Sequence, residues 1–165
     1  MLSWFKKLLP SVLFALLFSA LHFGLWALAN RALPLINVKP TVNGFAYSGY
    51  RANQSPLEGQ HPSTAELAQD LDLMHKHTHH IRLYSSLDLS EVIPLAARRN
   101  MNVIAGAWID TDQQKNSREI AALLEKLANY SNIERVVVGN EALLRNDLPA
   151  KDLIAYLDYV RQRST

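Results

Sequence analysis

The chain contains no cysteine. Disulfides, thiolate zinc sites and a cysteine nucleophile are therefore excluded, and the redox compartment is left open. An excess of one charge is missing too: 17 Lys and Arg stand against 15 Asp and Glu, a net charge of +2. No basic stripe interleaved with aromatics appears, so no nucleic-acid partner is expected. There is no Gly-x-Ser-x-Gly and no Ser-His-Asp signature. Gly44 and Gly49 flank the first apolar strand pattern but do not make the Gly-x-Gly-x-x-Gly turn of a dinucleotide site. No cofactor and no metal are expected.

One stretch lacks charge altogether. Leu8 to Asn30 holds no Asp, Glu, Lys or Arg. As a helix these residues reach about 34 Å, enough to cross a bilayer. Trp4, Phe5 and Trp26 lie near its ends, where an interfacial aromatic belt would sit. Lys6 and Lys7 precede the run, which predicts a cytoplasmic segment over 1–7, a span over 8–30 and the remainder outside the cell membrane. The competing reading is a signal peptide cleaved after the small-x-small run Ala27-Leu28-Ala29, followed by secretion. The length of the apolar run favours the uncleaved anchor. Residues 31–41, with Pro34 and Pro40 and no apolar period, read as a linker.

From Val42 the chain alternates short apolar runs with helical patterns. Strands are predicted over 42–47, 80–85, 102–108 and 133–139. Ser63, with Glu66 three residues on, predicts a capped helix carrying Leu67, Leu71 and Met74 on its core stripe. Ser90 is expected to cap a second helix through Ala97. Ser117 is expected to begin a third, with Ile120, Leu123, Leu124 and Leu127 inward. Pro149 suits the first turn of a fourth, with Leu153, Ile154 and Leu157 inward. Four strand–helix units in succession imply an α/β fold with a parallel sheet, either open and doubly wound or closed as a barrel.

Each predicted strand ends on groups suited to a sugar. The first delivers Tyr47 and Tyr50, the second Arg82 and Tyr84, the third Trp108 followed by Asp110 and Asp112. The fourth, Val136-Val137-Val138, is expected to be buried on both faces and runs into Gly139-Asn140-Glu141. Aromatics stack on sugar faces, while amides, guanidinium and carboxylates bind hydroxyls. At the C-terminal mouth of a parallel barrel, an Asn-Glu pair is where a catalytic acid would stand. His75, His77, His79 and His80 cluster between a helix end and a strand start, at the opposite end of the strands. They read as a solvated turn rather than a metal site.

The succession Ile81-Arg82-Leu83-Tyr84, Gly106-Ala107-Trp108 and Val138-Gly139-Asn140-Glu141 resembles glycoside hydrolase family 17. It is similar to the bacterial branch of exo-β-1,3-glucanases and β-glucan synthase-associated proteins, and the resemblance runs from about Asn43 to about Arg161. It implies a (β/α)8 TIM barrel and a retaining mechanism acting on β-glucan. By resemblance Glu141 is the general acid/base and Asn140 holds the sugar 2-hydroxyl. Tyr84, Trp108 and Tyr47 line the substrate cleft, and Arg82 supports the carboxylates. The chemistry also demands that burial or a neighbouring carboxylate raise the pKa of Glu141.

The family's nucleophile belongs at the end of a seventh strand. Val42–Thr165 is about half of the roughly 250 residues a barrel uses, and supplies four strand–helix units. Asp110, Asp112 and Glu119 do not match the nucleophile's place. The expectation is thus the first half of a membrane-anchored hydrolase or transglycosylase, a fragment without turnover of its own or a half-barrel completed by a second polypeptide. The alternative is a non-catalytic half-barrel, anchored in the membrane, that binds glucan or a partner protein.

Overall fold

The computed structural model describes residues 2–32 and 41–164. The expected linker falls from 33 to 40 outside them. The chain divides into two compact units, Met1–Asn37 and Val38–Thr165.

The first unit is one helix, α1 (Leu2–Ala29). Its stretch Leu8–Ala29 has a mean hydropathy of 2.1 and none of it is buried within the protein. A helix that is apolar all round is suited to hydrocarbon. Length and apolarity make it a candidate membrane span, and a helix at this place in the chain also fits a signal sequence.

The second unit is built on four parallel strands: β1 (Phe45–Ala46), β2 (His80–Arg82), β3 (Asn102–Ala107) and β4 (Ile133–Val138). Their order in the sheet is their order in the chain, β1-β2-β3-β4. A doubly wound sheet reverses its strand order at a switch point, and this one does not. It has the arrangement of half an α/β barrel. Helices α2 (Thr64–Met74), α3 (Val92–Ala97), α4 (Gln113–Asn129) and α5 (Ala150–Arg161) alternate with the strands. Ser63 caps α2 in the reciprocal box with Glu66 that their spacing predicts.

The core lies between the sheet and the helices. Val103, Ala105, Ala107 and Ile109 are buried there together with Ile81 and Leu83, Leu67 and Leu71 of α2, Ile93 of α3 and Leu123 of α4. The register pairs Ala46, Arg82, Ile104 and Arg135 in one row, and Gly106 with Val137 in the next. Pleating turns these residues to the opposite face. Gly106 cannot be replaced there. A Cβ at that position would stand 2.5 Å from the Leu83 carbonyl oxygen and 2.7 Å from the Tyr84 backbone.

Several expectations are corrected. The strands are shorter than predicted, and Tyr47, Tyr84 and Trp108 stand just past the ends of theirs. β4 is an edge strand among those described, so Val136 and Val137 are half-buried and only Val138 is fully buried. Ser90 does not cap α3. The N-cap is Glu91, in helical conformation and without a capping hydrogen bond, because the preceding residues already turn through Leu89 at φ +51°. Ser117 does not begin α4. Asp112 caps it, accepting from Gln114 N (2.9 Å) and Lys115 N (3.0 Å). The polar first turn hid this start, since apolar residues recur only from Ile120. In α5, Ile154 and Leu157 are 56 % and 38 % exposed. Val160 is buried, Tyr156 packs on the core and Leu153 lies against Gly139, so the inward stripe is Leu153–Tyr156–Val160. Ile154 and Leu157 sit one position round from it.

Candidate functional site

The end of β4 is held in an unusual conformation. Gly139 has φ +78°, and Glu141, a residue with a Cβ, has φ +54°. Left-handed backbone at a non-glycine residue costs about 1–2 kcal/mol and persists only where surrounding contacts impose it. Here Gly139 N donates to Ala107 O (2.9 Å), continuing the β3–β4 ladder. The following turn is closed by Arg145. Its backbone N donates to Glu141 O (2.9 Å), and its guanidinium donates to the Asn140 and Ile109 carbonyls. The same side chain bonds Asp147 (2.8 Å) and lies 4.2 Å from the Trp108 ring centroid. One arginine thus ties the end of β3 to the turn bearing Asn140 and Glu141.

Arg82 braces the same turn from the neighbouring strand. Its Nη2 donates to Asn140 Oδ1 (2.7 Å), and its guanidinium carbon stands 5.1 Å over the Tyr84 ring. With Oδ1 committed to an arginine, the Asn140 amide directs its NH2 donors elsewhere. Arg82 Nε is buried and has no partner among the described residues. Such a donor is costly to leave unmade, which marks Arg82 as able to take one more acceptor.

A cleft of about 1080 Å³ opens beyond the strand ends and is lined by Tyr47, Tyr84 and Trp108 among others. Tyr84 and Trp108 are half-buried in it. Tyr47 is buried on the helix side of the sheet, where its hydroxyl donates to Asp70 Oδ2 (3.0 Å). Burial, reinforced by Asp70, pushes its phenol pKa above the ordinary range. Arg82, Asn140 and Glu141 are not part of that lining. Glu141 is exposed. The structure thus brings the expected site residues together as two groups: an aromatic cleft, and an Asn-Glu turn clamped by two arginines. Arg82 over Tyr84 and Arg145 over Trp108 link the groups.

The remaining carboxylates near β3 have structural partners. Asp110 receives Lys115 Nζ and Asp112 N, both at 2.8 Å. Burial opposes its ionisation, but these bonds and the charges of Lys115 and Arg145 prevail and hold the carboxyl below its usual range. Glu119 is buried and accepts from Ser85 Oγ (2.5 Å) and Ser86 N (2.9 Å). In the histidine cluster, His80 Nδ1 faces Glu134 at 3.1 Å, and the His75 and His79 rings meet edge to face. No group of three or more His, Cys, Asp or Glu among the described residues is placed to hold a metal.

Arg145 is the residue at this turn that nothing in the chain marks. Arg145 lies in an irregular turn with no period to mark it. Glu119 stands out in the chain only as a carboxylate away from the nucleophile's place, and its bonds to Ser85 and Ser86 are what the structure adds. A glutamate two serines away in space has no signature in the chain.

Residues 44–165 match the family described as the BtgE/BtgC glycoside hydrolase domain. Among similar curated proteins, the "Glucan endo-1,3-beta-glucosidase btgC" of Emericella nidulans is 27% identical over 131 residues, covering 72% of this chain and 20% of that protein. The "Probable glucan endo-1,3-beta-glucosidase btgC" of Aspergillus flavus is 34% identical over 112 residues, 61% of this chain and 16% of its own length. The "Glucan 1,3-beta-glucosidase" of Saccharomyces cerevisiae is 27% identical over 139 residues, 81% of this chain and 44% of that protein. The chain therefore spans less than half the length of each.

Proposed function

Since the chain belongs to the BtgE/BtgC glycoside hydrolase domain family, we propose that its second unit is the N-terminal part of a retaining β-1,3-glucan hydrolase or transglycosylase. Glu141 is its general acid/base and Asn140 its 2-hydroxyl ligand. The observation that carries this reading is the clamped turn: Arg82 and Arg145 fix Asn140-Glu141 at the C-terminal end of a parallel strand, next to ring-bearing Tyr84 and Trp108. That end is where α/β barrels assemble their chemistry.

Glu141 protonates the glycosidic oxygen as the bond to the anomeric carbon breaks. A carboxylate about 5–5.5 Å away attacks the same carbon and forms the glycosyl-enzyme. As a carboxylate, Glu141 then takes a proton from water or from an acceptor hydroxyl, giving hydrolysis or transfer. The Asn140 NH2 bonds the 2-hydroxyl, an interaction that strengthens as positive charge develops on the ring. Arg82 keeps that amide oriented, and its unmade Nε bond suits it to a further carboxylate. We assign the nucleophile to a strand beyond the four of this sheet, in a completed (β/α)8 barrel. Helix α1 is assigned as the anchor, with Lys6 and Lys7 inside and the hydrolase unit outside the membrane. Retention in the membrane after alkaline extraction supports the anchor, and release as a shortened soluble chain supports a cleaved signal.

A non-catalytic reading, in which the anchored half-barrel binds glucan or a partner protein, draws on the exposure of Glu141, since a general acid needs burial or a neighbouring carboxylate. The test is Glu141→Gln in a protein carrying both carboxylates. Turnover of aryl glucosides with poor leaving groups should fall by about 10²–10⁴. Those with good leaving groups should still form the glycosyl-enzyme, and azide should restore their turnover. Equal losses for both leaving groups would remove Glu141 from the acid/base role.

A further inference from the structure

Away from the clamped turn, three separate loops converge on the same cleft. Tyr50 follows β1, His61 precedes α2, and Asp88 lies between β2 and α3. Tyr50 Oη donates to Asp88 Oδ1 at 2.5 Å and lies 2.9 Å from His61 Nδ1. The Tyr50 and His61 rings are 5.9 Å apart, and His61 Nδ1 is 3.5 Å from the same Asp88 oxygen. Burial and the adjacent Asp88 carboxylate keep the Tyr50 phenol protonated well above its ordinary range, so it remains a donor.

This cluster is fixed from below. Ser85 Oγ accepts from Asp88 N (2.9 Å) and itself donates to buried Glu119 (2.5 Å). Asp88 is thus held by a chain of hydrogen bonds that ends in the core. Its second oxygen, Oδ2, and the far ring nitrogen of His61, Nε2, have no hydrogen-bond partner among the described residues. Leu57 stands on the rim of the same cleft, 96 % exposed. Two aromatic rings, an apolar rim and two free polar atoms therefore sit on a cleft at the upper end of the size range of ligand sites, roughly 300–1000 Å³. A pyranose needs that combination: a flat ring for its C–H face, and in-plane acceptors and donors for its equatorial hydroxyls.

We propose that Tyr50, His61 and Asp88 form a second sugar subsite, which takes a glucose unit of a β-glucan chain beyond the units held at Tyr84 and Trp108. This rests on the glucan reading above and extends it to a binding site for longer chains. Asp88 Oδ2 accepts from a sugar hydroxyl, His61 Nε2 bonds a neighbouring one, and the Tyr50 ring carries the C–H face.

The test is calorimetric titration of the full chain in detergent micelles with a β-1,3-linked disaccharide and hexasaccharide of glucose. Tyr50→Phe, Asp88→Asn and His61→Ala are compared with wild type. His61 is the variant least able to disturb folding, because its side chain is 53% exposed. The subsite predicts that hexasaccharide affinity falls about tenfold in each variant, and disaccharide affinity by less than about twofold. Hexasaccharide affinity unchanged in all three, with wild type binding both sugars, overturns the subsite and leaves the glucan reading standing. Equal losses for the two sugars also overturn it as a separate subsite. Failure of wild type to bind either sugar overturns the glucan reading, and the subsite with it.

Discussion

Replacing Glu119 with alanine should destabilise the sheet unit by about 3 kcal/mol. The carboxylate is 1 % exposed and accepts from Ser85 Oγ and Ser86 N. Hydrogen bonds to a charged acceptor are worth about 1.5–3 kcal/mol each, and a buried amide left without a partner costs about 1–3 kcal/mol. Truncation also leaves a void. Relief from holding a carboxylate out of water offsets part of the loss. Glu119→Gln keeps an oxygen acceptor and should lose only about 1–2 kcal/mol. Ser85 Oγ also accepts from the Leu87 and Asp88 amides, so the alanine variant should loosen the whole loop after β2. Urea denaturation in micelles gives the stabilities, and amide exchange at Ser86 to Asp88 reports the loop. A loss below about 1 kcal/mol in the alanine variant would refute the bracing role. So would a glutamine variant as damaged as the alanine one.

Arg145→Lys keeps the charge but cannot bond Asn140 O, Ile109 O and Asp147 together, so it should cost about 2 kcal/mol and alter Trp108 fluorescence. An unchanged emission maximum would separate Arg145 from Trp108. Glu141→Gly relieves the left-handed backbone but adds chain entropy to the unfolded state, so stability should stay level or rise by up to about 1 kcal/mol. A clear fall, measured by urea midpoint, would show that the Glu141 side chain contributes to stability. Asp110 has a folded pKa below its unfolded one. Its contribution is therefore present above the ordinary carboxylate range and lost as pH falls through the folded value, below about pH 4. Lys115→Met should flatten this acid limb of the stability curve, whereas a curve parallel to wild type would mean that Lys115 does not set it.

The parallel order of strands and helices was legible because short segments with apolar centres alternate with segments that carry a 3.6-residue stripe. Ser63 and Glu66 announced α2 through a local reciprocal bond that depends on nothing distant. Helix starts set by other chemistry were not legible: Asp112 caps α4 ahead of a polar turn, and the Glu91 N-cap of α3 makes no side-chain capping bond. Periodicity placed Leu153 correctly but could not resolve which of its neighbours completes the stripe, and Tyr156 and Val160 do so in place of Ile154 and Leu157. That Asn140, Tyr84 and Trp108 stand just past strand ends was legible, because each follows a strand pattern directly. The contacts that orient them, from Arg82 and Arg145, join residues on different strands and turns, and spacing along the chain does not encode such contacts.

The acid/base role of Glu141 depends on where Glu141 and Asn140 meet a glucan. A crystal structure of the chain with a bound β-1,3-linked gluco-oligosaccharide tests this most directly. It should show the Glu141 carboxyl within about 2.6–3.2 Å of a glycosidic oxygen. The Asn140 NH2 should bond the 2-hydroxyl of the adjoining ring, with Arg82 still on Asn140 Oδ1. A sugar seated elsewhere, with Glu141 and Asn140 facing solvent, would contradict the acid/base assignment.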